Sequence, residues 1–400
     1  MEILRDKLKL HEDQINKLRS TVCKNQHDIA IFNVALNTRV SPIIYDLENV
    51  QDHIRRKLMS SHIRDLFGKW ISKFIHNFDM LCLTRWFYTQ KLVDTKGKDP
   101  IFPNNTDKNE GLWYELTRGG VPADQIPYLE NLLHQMMKFY YSETFFNIQN
   151  RTLEIKKKIE HEYVIYKCEG IFFRLDSTYY NKLCLDYTGP SDQFDVCIYN
   201  LLCRYQTLPG SGYHAGITEK SFKVLVKYLR VNHEIFASPF NRTLENYTSA
   251  YPDTDIPFGS KGNFFEIYSD LFKDGGSFEA NPPFLEEHMA AFALIVINVL
   301  SNPVPLSFVV IVPAWIDTVL FHIFMTSKYN VLPNRHYKYE RHKHCYRDGG
   351  SYIIDNKNER IFLRKSNNKS LVFILQNKLG QEMYPVTPEF ENALNEAFSI

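Results

Sequence analysis

From Leu4 to Leu36 the series Leu4, Leu8, His11, Ile15, Leu18, Val22, Asn25, Ile29, Phe32, Leu36 recurs at alternating spacings of four and three. That spacing predicts a heptad helix over residues 1–40, with Leu8, Ile15, Val22, Ile29 and Leu36 at a and the polar His11 and Asn25 among the d positions. Such a seam either pairs with a second copy, making residues 4–36 a route to a homo-oligomer, or folds back on its own chain. Ser41-Pro42 should stop the helix. Helical patterns then follow through Ile43–Leu58, Leu66–Phe78, RWFYTQKL (85–92) and residues 124–160, which predict a mostly α-helical domain over 41–160.

Beyond residue 160 the periodicity changes. YVIYKCEGIFFRLD reads as paired strands, DVCIYNLLCRYQ as a helix, and ITEKSFKVLVKYLRV as a helix capped by Thr218. HEIFASPF, SFEANPPF, LSFVVIVPAW and SLVFILQN read as strands, with a helix over 285–300. Strands alternating with helices predict an open α/β sheet over 161–400. Ligands bind such sheets beyond the carboxyl ends of the strands. Ser238-Pro239, Asn281–Phe284 and Pro313–Trp315 all fall there.

A formal charge of +1 over 400 residues excludes a protein that coats nucleic acid broadly and leaves room for a local basic groove. The seven Cys form no Cys-x-x-Cys pair, so neither a zinc site nor a disulfide framework is expected, and a reducing compartment is. The start, MEILRDKLKLHEDQ, lacks the apolar core of a secretion signal, so a nuclear or cytoplasmic protein is expected. The apolar run 289–312 is broken by SNPVP, so no membrane partner is expected. HKHC (342–345) has the wrong spacing for a helical metal pair; with Arg341, Lys343 and Arg347 it reads as a basic RNA-facing loop. Arg85 and Trp86 are further RNA contacts to consider, and LPGSGYHAG is a lid or a plain turn.

Asn281-Pro282-Pro283-Phe284 admits two readings. Asn is a good N-cap and Pro suits the first helical position, so the four residues could simply begin the 285–300 helix. They could instead hold the exocyclic amine of adenine. The Asn281 side-chain oxygen and a backbone carbonyl would accept its two N–H bonds and orient the nitrogen lone pair, while Phe284 stacks on the base. FASP, after a strand, sits where a cofactor loop begins, and Asp253 and Asp255 follow at a distance suited to ribose hydroxyls or merely to shaping the PDTD turn.

FASPFN (236–241), AYPDTDIPFGSKG (250–262), GSFEANPPFLEE (276–287), PLSFVVIVPAW (305–315), HCYRDGGSYI (344–353) and LVFILQN (371–377) together resemble the catalytic core of the phosphorylated-CTD-interacting factor family, the cap-specific adenosine-N6 methyltransferases. The resemblance spans roughly residues 195–380. It implies a Rossmann-like core that uses S-adenosyl-L-methionine to methylate N6 of the first transcribed 2′-O-methyladenosine of capped mRNA. It implies that Asn281, Pro282, Pro283 and Phe284 form the catalytic loop. Ala237, Ser238, Pro239, Asp253, Asp255 and Asn281 would border the cofactor. Glu286 and Trp315 would touch the capped substrate, with Arg347 and Arg85 as further RNA contacts. A cationic 7-methylguanine suits an aromatic face and a carboxylate, although Glu286 and Glu287 also offset a helix dipole and Trp315 suits a strand-end core. After Trp315 the family's charged, Pro-rich segment is replaced by IDTVLF, and nothing upstream has the paired-Trp pattern of its WW domain. Two other classes fit the same loop: a catalytically inactive scaffold that binds RNA or a transcription complex, and an adenine-N6 methyltransferase acting on DNA or internal RNA.

Overall fold

Polar residues on the heptad seam break the predicted N-terminal helix into three. The computed structural model describes residues 2–40, 50–76, 78–93, 99–103, 110–142, 153–208, 215–331, 345–348, 363–365 and 369–398. In it α1 (Leu4–Lys7), α2 (Glu12–Val22) and α3 (Gln26–Leu36) replace the single heptad helix expected over 1–40. Lys9 takes a left-handed φ of 53° in the first break. His11 precedes α2, and its backbone N–H donates to Gln14 Oε1 at 3.0 Å. Asn25 caps α3: its Oδ1 accepts from Asp28 N at 2.9 Å, and Asp28 Oδ2 accepts from Asn25 N at 3.2 Å. Both polar d positions therefore start helices, because their neighbours satisfy the end donors that a continuous helix would bond internally. β1 (Glu2–Ile3) and β2 (Arg39–Val40) pair antiparallel and close this segment.

The chain forms two compact units, Met1–Pro42 with Ser211–Ile400, and Ile43–Gly210. This division differs from the boundaries at 40 and 160 read from the sequence. Residues 161–210 pack with the helices before them, and residues 1–42 pack with the α/β core.

In the unit Ile43–Gly210, two predicted patterns merge into one helix, α4 (Val50–Ile71), followed by α5 (Leu81–Val93), α6 (Glu110–Arg118) and α7 (Ile126–Tyr140). The buried Arg56–Asp99 pair (2.8 Å) is tied to α7 by Tyr140 Oη donating to Asp99 at 2.6 Å. The helix expected through residue 160 is corrected: Lys156–Glu160 is a strand, β3, paired antiparallel with β4 (Tyr163–Cys168), which pairs with β5 (Ile171–Asp176). EIKKKIEHE has good helix formers, but pairing with β4 overrides propensity. After α8 (Ser177–Asp186), α9 (Phe194–Thr207) packs on α4, where Ser60 Oγ donates to the Thr207 carbonyl. Tyr199 of α9 meets Phe173 of β5 edge-on at 5.4 Å, so α9, packed on α4, ties the strands of residues 161–210 to the helices.

The other unit holds the open α/β sheet. Its elements are β6 (Ala215–Gly216), α10 (Glu219–Leu229), β7 (His233–Ala237), β8 (Asn246–Ser249), α11 (Pro252–Asp255), α12 (Phe264–Leu271), β9 (Gly276–Ala280), α13 (Glu286–Val299), β10 (Leu306–Pro313), α14 (Val319–Met325), β11 (Cys345–Asp348), β12 (Leu363–Lys365), β13 (Ser370–Gln376), α15 (Lys378–Met383) and α16 (Pro388–Phe398). Thr218 caps α10 by accepting from Ser221 N at 3.3 Å. The main sheet has the order β13-β10-β9-β7-β8, with the β10, β9, β7 and β8 contacts parallel and β13 antiparallel at the edge. β12, β11 and β6 form a small separate sheet.

Every residue of β10 and β13 is buried, as expected for strands covered on both faces. Val309, Ile311, Val372 and Ile374 pack with Phe222, Leu225 and Leu229 of α10 and Phe390, Leu394 and Phe398 of α16. On the opposite face Phe292 of α13 meets Phe236, Phe264 and Phe324, and Phe324 meets Phe373. α2 and α3 cover α13 and α14 from outside, burying Leu4, Leu8, Ile15, Val22, Phe32 and Leu36 within this unit. Most of the apolar seam is thus buried within this unit, as expected of a segment folded back on its own chain.

Candidate active site

The sheet order places a topological switch point between β7 and β9. From β7 the chain goes to β8 on one side, then returns to β9 on the other. Divergent connections open a crevice beyond the carboxyl ends of the two strands, where ligands of open α/β sheets sit. Ala237–Ser238 leave β7 there, and Ala280–Asn281 leave β9 there.

The end of β7 is strained. Its register with β8 shifts between Glu234 and Ala237, and Phe236 has a left-handed φ of 67°, a conformation that costs on the order of 1–3 kcal/mol for a bulky side chain. Rings of Phe264 and Phe292, each 5.2 Å from that of Phe236, hold it in place. The following turn closes on itself. Asn241 Oδ1 accepts from Ser238 N at 2.7 Å and from Ser238 Oγ at 2.9 Å, while Ser238 Oγ accepts from Asn241 N at 3.2 Å. Ala237, Ser238 and Pro239 are buried within this turn. Below it, the buried Glu234 carboxylate accepts from Thr243 N at 2.7 Å and Leu244 N at 3.1 Å. Further along, the buried Asp255 accepts from Thr254 Oγ1 at 2.9 Å and stabilises the PDTD turn, while Asp253 is half-buried.

Beyond β9, Asn281–Pro283 are irregular, and α13 starts only at Glu286. Its N-cap is Leu285, extended at φ −120° and ψ 122° and without a side-chain cap. Asn281 is therefore not the helix cap that Asn-Pro suggests. Its carboxamide nitrogen is buried with no hydrogen-bond partner, so the amide is left for something else. Leu285 N donates to the Pro283 carbonyl at 2.6 Å, a tight turn that projects Phe284. Phe284 meets Trp315, at the end of β10, with ring centroids 6.1 Å apart and planes at 69°. Thr318 Oγ1 donates to the Trp315 carbonyl at 3.1 Å.

Glu286 opens α13, and its carboxylate lies 3.4 Å from His27 Nε2 of α3. The hydrogen bond to Glu286 raises the His27 pKa above its ordinary value. Glu279 is buried in β9 directly opposite Glu234, with Oε1 unpartnered. Burial, then the Glu234 charge, pushes its carboxyl well above the usual range. His288, one turn into α13, is pushed down to about 3 by burial and stays neutral.

The structure thus brings Asn281–Phe284, Glu286 and Trp315 around the ends of β9 and β10, with Ala237–Pro239 at the neighbouring end of β7. Arg347 lies in β11, in register with Gly216 and Leu363. Arg85 belongs to the helical unit, where it bonds Glu115 at 2.8 Å and Asp79 at 3.3 Å, and Trp86 is buried. Residues 342–344 of HKHC and most of LPGSGYHAG lie outside the described residues. Among the described residues no three His, Cys, Asp or Glu side chains could share a metal, and no helix is long and apolar enough to cross a membrane. Sequence reasoning missed His27, Glu234, Phe236, Asn241 and Glu279. Only Asn241 had a signal, the Ser-x-x-Asn spacing of a closed turn.

A family profile described as "Phosphorylated CTD interacting factor 1 WW domain" matches residues 174–349, a span that here contains the parallel strands and the Asn281–Phe284 loop. A human protein (Homo sapiens) named mRNA (2'-O-methyladenosine-N(6)-)-methyltransferase is 32% identical over 263 residues, covering 61% of this chain and 35% of its own length. Its mouse counterpart (Mus musculus), of the same name, matches at 32% over 263 residues with the same coverage. The chain thus spans about a third of the length of these curated relatives. Over residues 174–349 this chain is similar to the phosphorylated CTD interacting factor 1 family.

Proposed function

We propose that this protein is an S-adenosyl-L-methionine-dependent methyltransferase with a Rossmann-like core that methylates N6 of the cap-adjacent 2′-O-methyladenosine of capped mRNA. The observation that carries the reading is the Asn281 carboxamide. Its Nδ2 is buried and unpartnered at the carboxyl end of β9, beside the switch point, and the side chain is not used as a helix cap. The names of the human and mouse relatives support the substrate.

The residues present fit the cofactor. A strained β7 end, a closed Ser238–Asn241 turn and an unpartnered amide border one crevice. Ala237, Ser238, Pro239 and Asn281 would hold the methionine end, with Asp253 reaching toward ribose hydroxyls. Asp255 is occupied in shaping the PDTD turn. S-adenosyl-L-methionine, when bound, supplies the electrophilic methyl group.

The chain's own work is positioning. Asn281 Oδ1 and the Pro282 carbonyl accept the two N–H bonds of the adenine amine, which turns the nitrogen lone pair out of conjugation and toward the methyl donor. The prolines stiffen the loop and bring no competing N–H donor. Phe284 stacks on the base, and Trp315 holds the Phe284 edge. Glu286 offers a carboxylate to the N–H edge of a cap guanine.

A methyl-transfer assay on capped and uncapped RNAs that start with 2′-O-methyladenosine, alongside an adenine-containing DNA oligomer, tests this. Transfer restricted to the capped RNA is expected. Equal rates on capped and uncapped RNA remove the cap requirement and favour the DNA or internal-RNA reading. Absence of transfer, with no heat of S-adenosyl-L-methionine binding by calorimetry, favours a non-catalytic scaffold.

A further inference from the structure

The three-stranded sheet of the helical unit presents one face to α8 and α9 and the other to solvent. The covered face buries Val164, Tyr166, Cys168, Phe173 and Leu175. The outer face is built from the alternate positions. In one cross-strand row Lys156 stands opposite Lys167, which stands opposite Phe172; in the next, Lys158 stands opposite Ile165 and Arg174.

Two features of this face oppose folding by itself. Lys156 and Lys167 are directly opposed like charges, an arrangement that destabilises a sheet. Phe172 is 63% exposed beside them. Lys167 makes no ion pair among the described residues, and Arg174 lies over the half-buried Tyr163 ring at 5.3 Å. The acids nearby are engaged at the surface: Glu154 lies 3.6 Å from Lys156, and Glu160 pairs with Lys158. Such exposed pairs are weak and exchange readily for a phosphate. A sheet face that sets cations beside an exposed aromatic ring matches single-stranded nucleic acid, whose bases stack while its phosphates meet Lys and Arg.

We infer that the outer face of β3–β4–β5 binds a single-stranded RNA segment, with a base stacked on Phe172 and phosphates on Lys156, Lys167 and Arg174. The choice of RNA rests on the methyltransferase reading above; the surface itself does not, and it shares no residue with the adenine loop.

The test is fluorescence anisotropy of a labelled, uncapped, single-stranded RNA with the full chain over a salt series. Lys167→Glu and Arg174→Glu should each weaken binding several-fold, and Lys167→Ala should flatten the log–log salt slope by about 0.7, the share of one single-strand phosphate. Phe172→Ala should weaken binding roughly 5- to 100-fold with little change of slope. Unchanged affinity in all four surface variants overturns the inference. So does binding to anionic phosphatidylserine vesicles that these variants abolish while RNA affinity stays constant, since the face would then be a membrane contact. Methyl transfer to a short capped RNA of a few nucleotides is scored in parallel. Transfer with no RNA response in the variants sinks the surface and spares the proposed function, and the reverse pattern sinks the function and spares the surface.

Discussion

Glu234 and Glu279 stand opposite each other on β7 and β9, both buried, and only Glu234 has backbone N–H donors to hold its charge. Burial, then the Glu234 charge, raises the folded Glu279 carboxyl well above its ordinary value. In the unfolded chain it ionises at its ordinary value. Between that value and the raised folded value the native state binds more protons, so stability falls as pH rises. Glu279→Gln supplies the neutral form at every pH. Its thermal midpoint should exceed the parent's by a few degrees (~2–4 °C per kcal/mol) at pH 8, and the gain should vanish toward pH 4. Calorimetry at several pH values checks this; a pH-independent difference would mean that no proton is held there.

Asn281 caps no helix, so its loss should cost chemistry and not folding. Asn281→Ala is expected to lower kcat about 100- to 1000-fold, the scale of removing one oriented polar group from an active site. Its thermal midpoint should stay within about 2 °C of the parent's, and single-turnover methylation with a melting curve reads both.

Phe284 and Trp315 meet edge to face. Urea unfolding of the parent, Phe284→Ala, Trp315→Ala and the double variant should give a coupling of about 0.5–1.5 kcal/mol. Trp315→Ala should also raise KM for capped RNA more than for uncapped RNA. Strictly additive losses would show that the rings do not support each other in solution.

The hydrogen bond to Glu286 raises the His27 pKa. The stability this pair contributes is complete below the ordinary histidine value and is lost as pH rises through the raised folded value. NMR titration of the His27 ring should give a midpoint above that of a free histidine, and Glu286→Gln should bring it back. Because both side chains are partly exposed, salt should shrink the difference.

Much of the α/β unit was legible. β7, β9, β10, β13 and α13 lie where apolar runs and their flanking residues placed them, since strands covered on both faces are mostly apolar. The heptad helix was misread because periodicity records which residues turn inward and not where the chain bends. His11 and Asn25 kept the spacing while starting new helices. Lys156–Glu160 was misread as helix because its propensity is helical and only the pairing with Tyr163–Lys167 makes it a strand. At the site, Asn-Pro mimicked a cap. α13 starts only at Glu286 and packs against α3 and α14, contacts that no local pattern encodes.

The sequence by itself determined the strand-and-helix order of the core and the three loops at the strand ends, and singled out Asn281–Phe284 for the proposed adenine loop, because those depend on local composition and spacing. Only the tertiary structure decided that β7 and β9 flank the switch point, that Asn281 is left unpartnered, that Glu279 faces Glu234 and that His27 reaches Glu286. Each of these joins residues far apart along the chain, and desolvation and pairing are properties of the neighbours that folding supplies.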